Sequence, residues 1–123
     1  MPQAVSWQRF EGGLIFIASM TIYWPNAEIM PWWMAMLIFF APDLSFAGYL
    51  LGPHVGSFFY NAVHLYACGI ALLAIGLAFT SPMIVGLGAL WLAHAGLDRL
   101  LGYGLKLSEG FTFTHLGRTG NAR

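Results

Sequence analysis

The sequence predicts an all-α fold: an integral membrane four-helix bundle, a single transmembrane domain over residues 1–123, with both termini cytoplasmic. Three observations predict it. Hydrophobic residues make up 59% of the 123 and charged ones 8%. A soluble domain carries about 25% charged residues, so there is too little charge here to cover a water-facing surface. Four apolar runs follow one another with short connections, and short connections make antiparallel neighbours. The basic residues lie beside the two ends of the predicted bundle.

The first run, "EGGLIFIASMTIYW" at 11–24, is short for a bilayer core, which needs about 20 residues. The helix is therefore drawn back to about 8–24, or tilts. The preceding "MPQAVSWQRFEGG" is polar and weakly basic. The run ends at "YWPNAE" without small residues for cleavage, so it reads as a retained helix rather than a signal peptide. The second helix, 31–52, opens on Pro31, where proline is tolerated. Pro42 removes a backbone donor inside it. "APDLS" can then act as a second helix start, with Asp43 in the first turn, where negative charge is favoured. A break at membrane depth is tolerated where it lines a protein-buried cavity.

The third helix, 57–79, carries Asn61 and His64. A stripe of Ala67, Ala71, Ala74 and Ala78 continues from His64, and small residues let helices approach closely in lipid. His64 is thus expected to face a partner helix. The fourth helix, 82–105, opens on Pro82 and holds His94, Asp98 and Arg99; a polar tail follows at 107–123. Trp7, Tyr23, Trp24, Trp32 and Trp33 fall at run ends, where interfacial belts form. Trp91 lies mid-span and reads as core packing. Arg9 precedes helix one, while Lys106, Arg118 and Arg123 follow helix four. The loops between helices one and two and between three and four hold no Lys or Arg, which places both termini inside.

Function classes narrow next. Five basic and five acidic residues cancel, and a nucleic-acid binder needs a basic face. Cys68 is single, so it forms no intrachain disulfide. Asp98 lies about seven residues, roughly 10 Å, from the inner end of its helix. His94, His64 and Asp43 fall at comparable depths, so the strongly polar residues share the inner half. His94 and Asp98 are four apart and share a face. His64, His94 and Asp98 are the candidate metal ligands, with Asp43 as ligand or general base. This mix of imidazole and carboxylate suits zinc, iron or manganese. A hydrolytic site would use metal-bound water as nucleophile and a carboxylate as base.

Glu11, Asn61, Arg99 and His115 are further pocket candidates, His115 only if the tail folds back. Lys106 is expected to snorkel to the headgroups. The competing reading is a buried network that holds the bundle together, with Asp98 or Asp43 paired to Arg99. Another class is an accessory subunit of a larger membrane complex or a homo-oligomer, in which a histidine ligates haem or chlorophyll. A transporter or proton relay ranks last, since no inverted repeat is present.

The blocks "RFEG", "APDLSFAGYLLGPHVG", "YNAVHLY", "WLAHAGLDRLLGYGLK" and "GFTFTHLGR" span Arg9 to Arg118. They resemble the bacterial membrane family called domain of unknown function 4260. The resemblance implies a small four-helix bacterial membrane protein, and the bacterial inner membrane is the expected location. It also implies that Glu11, Asp43, Asn61, His64, His94, Asp98, Arg99, Lys106 and His115 lie in recurring blocks. It brings no activity with it. In residue types alone, the His/Asp set also resembles small membrane-bound metal-dependent hydrolases.

Overall fold

The computed structural model describes residues 3–119, and these are mostly helical. The chain runs through α1 (Gln3–Tyr23), a 3-10 turn (Trp24–Ile29), α2 (Trp32–Phe40) and a 3-10 stretch (Ala41–Leu51). It continues through α3 (Pro53–His64), α4 (Tyr66–Ala78) and α5 (Pro82–Leu100), and ends in the short antiparallel hairpin β1 (Phe113–Thr114) and β2 (Gly117–Arg118). Two helical stretches, Trp32–Leu51 and Pro82–Leu100, are long and apolar enough to cross a membrane. The bent pair α3 and α4 supplies a third if taken as one span. α1 is 21 residues long but less apolar, because Gln3, Gln8, Arg9 and Glu11 occupy its first half.

The departures from the expected helix bounds have local causes, and α3 begins at Pro53 rather than 57 because proline is tolerated at the first helical position. α1 begins at Gln3, since nothing in "QAVSWQ" breaks a helix. The second run changes from α to 3-10 geometry at Ala41, one residue before Pro42, whose ring removes a donor. Asp43 sits in the first turn of that new start. α5 stops at Leu100 because Gly102 takes φ +92°, and Tyr103 N–H returns to Asp98 O at 2.8 Å. That is a glycine-terminated helix end.

The third run breaks as well. Leu65 is extended, and α3 and α4 meet at a 42° bend. The break frees backbone carbonyls from their helical partners. Trp91 answers one of them: its indole N–H donates to Val63 O at 2.8 Å. Trp91 is therefore more than core packing. Trp91→Phe keeps the apolar bulk and leaves Val63 O without this donor. The expected loss is about 1–2 kcal/mol of stability, read from thermal unfolding in detergent. An unchanged midpoint would mean that the indole bond does not support the bend.

α5 is the central element. α1 and α4 pack along it and α2 touches it, and 61% of its most apolar window is buried, against 6% for Trp32–Leu51. Glycines set the closeness. A Cβ on Gly96 would lie 2.8 Å from Gly12 O, and one on Gly88 would lie 2.6 Å from Leu73 N. The expected alanine stripe is corrected here. Ala67, Ala71, Ala74 and Ala78 are exposed, and Gly69 and Gly76 are the residues of α4 buried against α5. The bend after His64 re-phases the helix, so the face of His64 does not continue into α4.

Candidate metal centre

Three elements bring four side chains to one point. α5 supplies His94 and Asp98 from adjacent turns of one face. α3 supplies His64 from its last turn. The 3-10 stretch supplies Asp43 from its first turn, just after the fully buried Pro42. His94 Nε2 lies 3.2 Å from Asp43 Oδ1 and 3.2 Å from Asp98 Oδ2. His64 Nε2 lies 3.4 Å and 3.5 Å from the same two oxygens. The two Nε2 atoms are 3.3 Å apart. One ligand atom from each of the four residues falls within 4.8 Å of all the others. Both histidines are buried, while the side chains of Asp43 and Asp98 retain 35% and 20% exposure.

Hydrogen bonding fixes part of the protonation. His64 Nδ1 lies 2.8 Å from Tyr60 O. A carbonyl only accepts, so Nδ1 carries the proton and the Nε2 of a neutral His64 presents its lone pair. The two carboxylate oxygens are also acceptors. With both imidazoles neutral, a proton on His94 Nε2 is the most that four converging acceptors share. His94 Nδ1 is buried, has no hydrogen-bond partner among the described residues, and its ring sits edge-on against Phe39 and Phe40. Four atoms about 2.05 Å from a shared tetrahedral centre stand about 3.3 Å apart. The five distances above match that edge. The four residues are a group that could hold a metal ion, and a second layer is in place at His64. Tyr60 stacks on it at 3.7 Å between ring centres, and Phe46 stacks on Tyr60.

A family model described as Domain of unknown function (DUF4260) matches residues 5–119, nearly the whole chain. The chain belongs to this family. No curated protein and no solved structure matches it.

The remaining pocket candidates of this DUF4260 chain go elsewhere. The ion-pair contacts of Asp43 and Asp98 are made to the two imidazoles rather than to Arg99. Arg99 is buried, its guanidinium lies over the Tyr66 ring at 5.2 Å, and Nη1 is 3.1 Å from His115 Nε2. It points about a quarter turn from Asp98, as adjacent helical residues do. Glu11 is exposed and lines a groove on α1 with Trp7, Phe10 and Leu14. Asn61 grips the backbone of Lys106, donating to its carbonyl at 2.8 Å and accepting from its N–H at 2.6 Å.

The tail does fold back, with Leu107 N–H donating to Phe113 O at 2.7 Å and His115 N–H to Leu105 O at 3.0 Å. His115 thereby serves a clasp and not the His/Asp cluster. Lys106 does not snorkel. It is buried, with its ammonium 3.8 Å from the Phe111 ring centre and 5.1 Å from that of Tyr60. Tyr60 and Lys106 are the site residues that sequence reasoning missed. Tyr60 stands one turn before His64, the one available signal.

The clasp carries a pH prediction. His115 Nδ1 accepts from Leu105 N–H at 2.8 Å, and Nε2 lies 2.8 Å from Gln8 Oε1. Partial burial, then the Arg99 guanidinium, holds the His115 imidazole below its ordinary value of 6.5. The fold therefore prefers the neutral ring. The stability this contact contributes is present above about pH 6.5 and declines as the pH falls below it. Protection of the Leu105 amide, its exchange relative to the intrinsic rate at each pH, should fall between pH 7.5 and 5, and His115→Gln should flatten that fall. A pH-independent protection factor in the native chain would refute it.

Proposed function

We propose that this protein is a multi-pass protein of the bacterial inner membrane, with both termini cytoplasmic, that binds one divalent metal ion at a centre built from His64, His94, Asp98 and Asp43. One observation carries the reading: four acceptor atoms from three elements converge at separations suited to tetrahedral zinc, iron or manganese. Two or three helical stretches of membrane-crossing length and composition support the location.

The chemistry such an ion supplies is Lewis acidity, which favours hydrolysis. His64, His94 and Asp98 serve as ligands. Asp43 is the most exposed of the four and sits on the separate 3-10 stretch. It would serve either as a fourth ligand, which would make the site closed and structural, or as the general base beside three ligands. Elemental analysis of the purified protein tests the reading. It should find about one metal ion per chain after dialysis, removable by a chelator. Trace metal well below one per chain would defeat it.

A second reading, an accessory subunit of a larger membrane complex, is supported by the outward face of Trp32–Leu51, which stays almost wholly uncovered. Purification in mild detergent as a lone monomer would count against it, whereas a homodimer would point to self-association. Haem or chlorophyll ligation is disfavoured by geometry. Both Nε2 atoms already face carboxylates, and an absorption spectrum without a Soret or chlorophyll band would close that branch.

A further inference from the structure

Arg99 lies in the last turn of α5, beside the start of α4, and its donors outnumber their acceptors. The residue is 8% exposed, and its guanidinium lies 5.2 Å from the centre of the Tyr66 ring. Its Nε is buried and has no hydrogen-bond partner among the described residues. Its Nη1 gains none from His115. There Nδ1 accepts from Leu105 N–H, so Nε2 of the neutral ring carries the proton and gives it to Gln8 Oε1. Arg99 Nη1, 3.1 Å from that Nε2, therefore faces another donor. The carboxylates of Asp43 and Asp98 face the two imidazoles of the cluster, and among the described residues none is paired with Arg99.

A second observation falls at the same place. Tyr66 is the first residue of α4, a helix of 13 residues that opens at the bend with no side-chain cap. The first N–H groups of a helix have no acceptor within it, and they attract anions. The Tyr66 hydroxyl is buried and also has no hydrogen-bond partner among the described residues. A guanidinium, a phenol and an uncapped helix start can all donate. What they lack in common is an acceptor that carries negative charge. Water would supply oxygen without charge, and a buried cation without counter-charge is costly.

We infer that Arg99, Tyr66 and the start of α4 form a binding site for a phosphate group, separate from the His/Asp cluster. Nε and Nη2 share one edge of the guanidinium, the fork that takes two oxygens of one oxyanion. His115 contacts Nη1 alone, so that edge is unclaimed among the described residues. The Tyr66 hydroxyl and the helix start meet the remaining oxygens. A carboxylate has two oxygens in one plane, whereas phosphate serves donors from three groups. The site stands whether or not the cluster holds a metal, since no cluster residue takes part. Free phosphate and a lipid head offer the same chemistry, and the test separates them.

The test uses the whole protein in a glycosidic detergent and a phosphate-free buffer. A chelator is present, so that phosphate has no metal to bind. The thermal unfolding midpoint is followed as inorganic phosphate is added, or as phosphatidic acid is added to the micelle. The midpoint should rise and saturate. Acetate and diacylglycerol, which lacks the phosphate, should not raise it in this way. A saturable response to inorganic phosphate assigns a free anion as the source. A response to phosphatidic acid alone assigns a lipid head.

Arg99→Lys keeps the charge and loses the fork, and should weaken the binding at least about tenfold. Tyr66→Phe removes one donor and should weaken it about fivefold. Glu11, an exposed acid of α1 whose charge reaches the Tyr66 phenol, opposes the anion. Glu11→Gln should therefore bind at least as tightly as the native chain. No response of the native protein to either phosphate probe would overturn the inference, and so would an equal response to acetate. Unchanged affinity in Arg99→Lys, or weaker binding in Glu11→Gln, would overturn it as well. If Arg99→Lys does not fold, Tyr66→Phe decides, and unchanged affinity there overturns it.

Discussion

His94→Ala is expected to lower metal affinity by at least about 100-fold and to leave well under a tenth of a metal ion per chain after dialysis. His94 Nε2 stands 3.2 Å from both carboxylate oxygens, the shortest contacts in the cluster. Removing the ring takes away one ligand and the group closest to both acids. Even second-layer partners of metal ligands are worth 10–100-fold, so a direct ligand should exceed that. Stability should follow. A ligand present at about 100 times its dissociation constant adds about 2.7 kcal/mol to the folded state. A chelator should therefore lower the unfolding midpoint of the native protein and do nothing to His94→Ala.

The same pair of melts separates the metal reading from a purely structural network. If the four residues only bond to one another, chelation leaves the native protein unchanged, and the variant is weaker with or without it. His64→Ala should behave as His94→Ala does. Asp43→Asn should lose less metal than Asp98→Asn, because Asp43 is the more exposed acid and is held by the 3-10 stretch rather than by α5.

Gly96→Val is expected to cost about 3 kcal/mol. A Cβ at this position meets Gly12 O at 2.8 Å and Phe16 N at 2.8 Å, both backbone atoms of α1. No rotamer relieves a clash between a Cβ and a backbone, so α1 must move off α5. That movement also strains two contacts in the first half of α1, Arg9 Nε donating to Leu100 O at 2.8 Å and Gln8 with His115. Gly13→Ala is the matched control. Its Cβ would meet only the Leu100 side chain, at 3.2 Å, and a flexible leucine tip can turn away, for a cost below about 1 kcal/mol. The readout is thermal unfolding of both variants in the same detergent. Equal midpoints for Gly96→Val and the native chain would refute the close α1–α5 approach.

Much of the candidate site was legible because its residues stand out chemically. Lipid penalises His and Asp, so His64, His94, Asp43 and Asp98 declare themselves against their apolar neighbours. Pro42 announced the break that brings Asp43 into a first turn. Asn61 binds the backbone of Lys106, and His115 contacts the backbone of Leu105 along with Arg99 and Gln8, rather than the His/Asp cluster. Backbone groups carry no residue type, so nothing in the sequence marks them. Lys106 was misread because snorkelling is the default for a lysine near a helix end. Its burial depends on the tail returning over it, with Phe111 against the ammonium.

The sequence by itself determined the apolar, helical character of the chain, the break imposed by Pro42 and the helix starts marked by Pro31 and Pro82. It also determined which few side chains are costly enough in lipid to require partners. Those properties follow from composition and from the period of a helix, and both are local. Only the tertiary structure decided that His64 closes α3 at a 42° bend, that glycines and not alanines seat α4 on α5, and that Arg99 turns to His115 while the carboxylates turn to the imidazoles. Helical period fixes the face on which a residue lies. It does not fix where two helices cross or how a broken helix is re-phased. Those depend on backbone approach at Gly12, Gly96, Gly69 and Gly88, and such contacts exist only between elements.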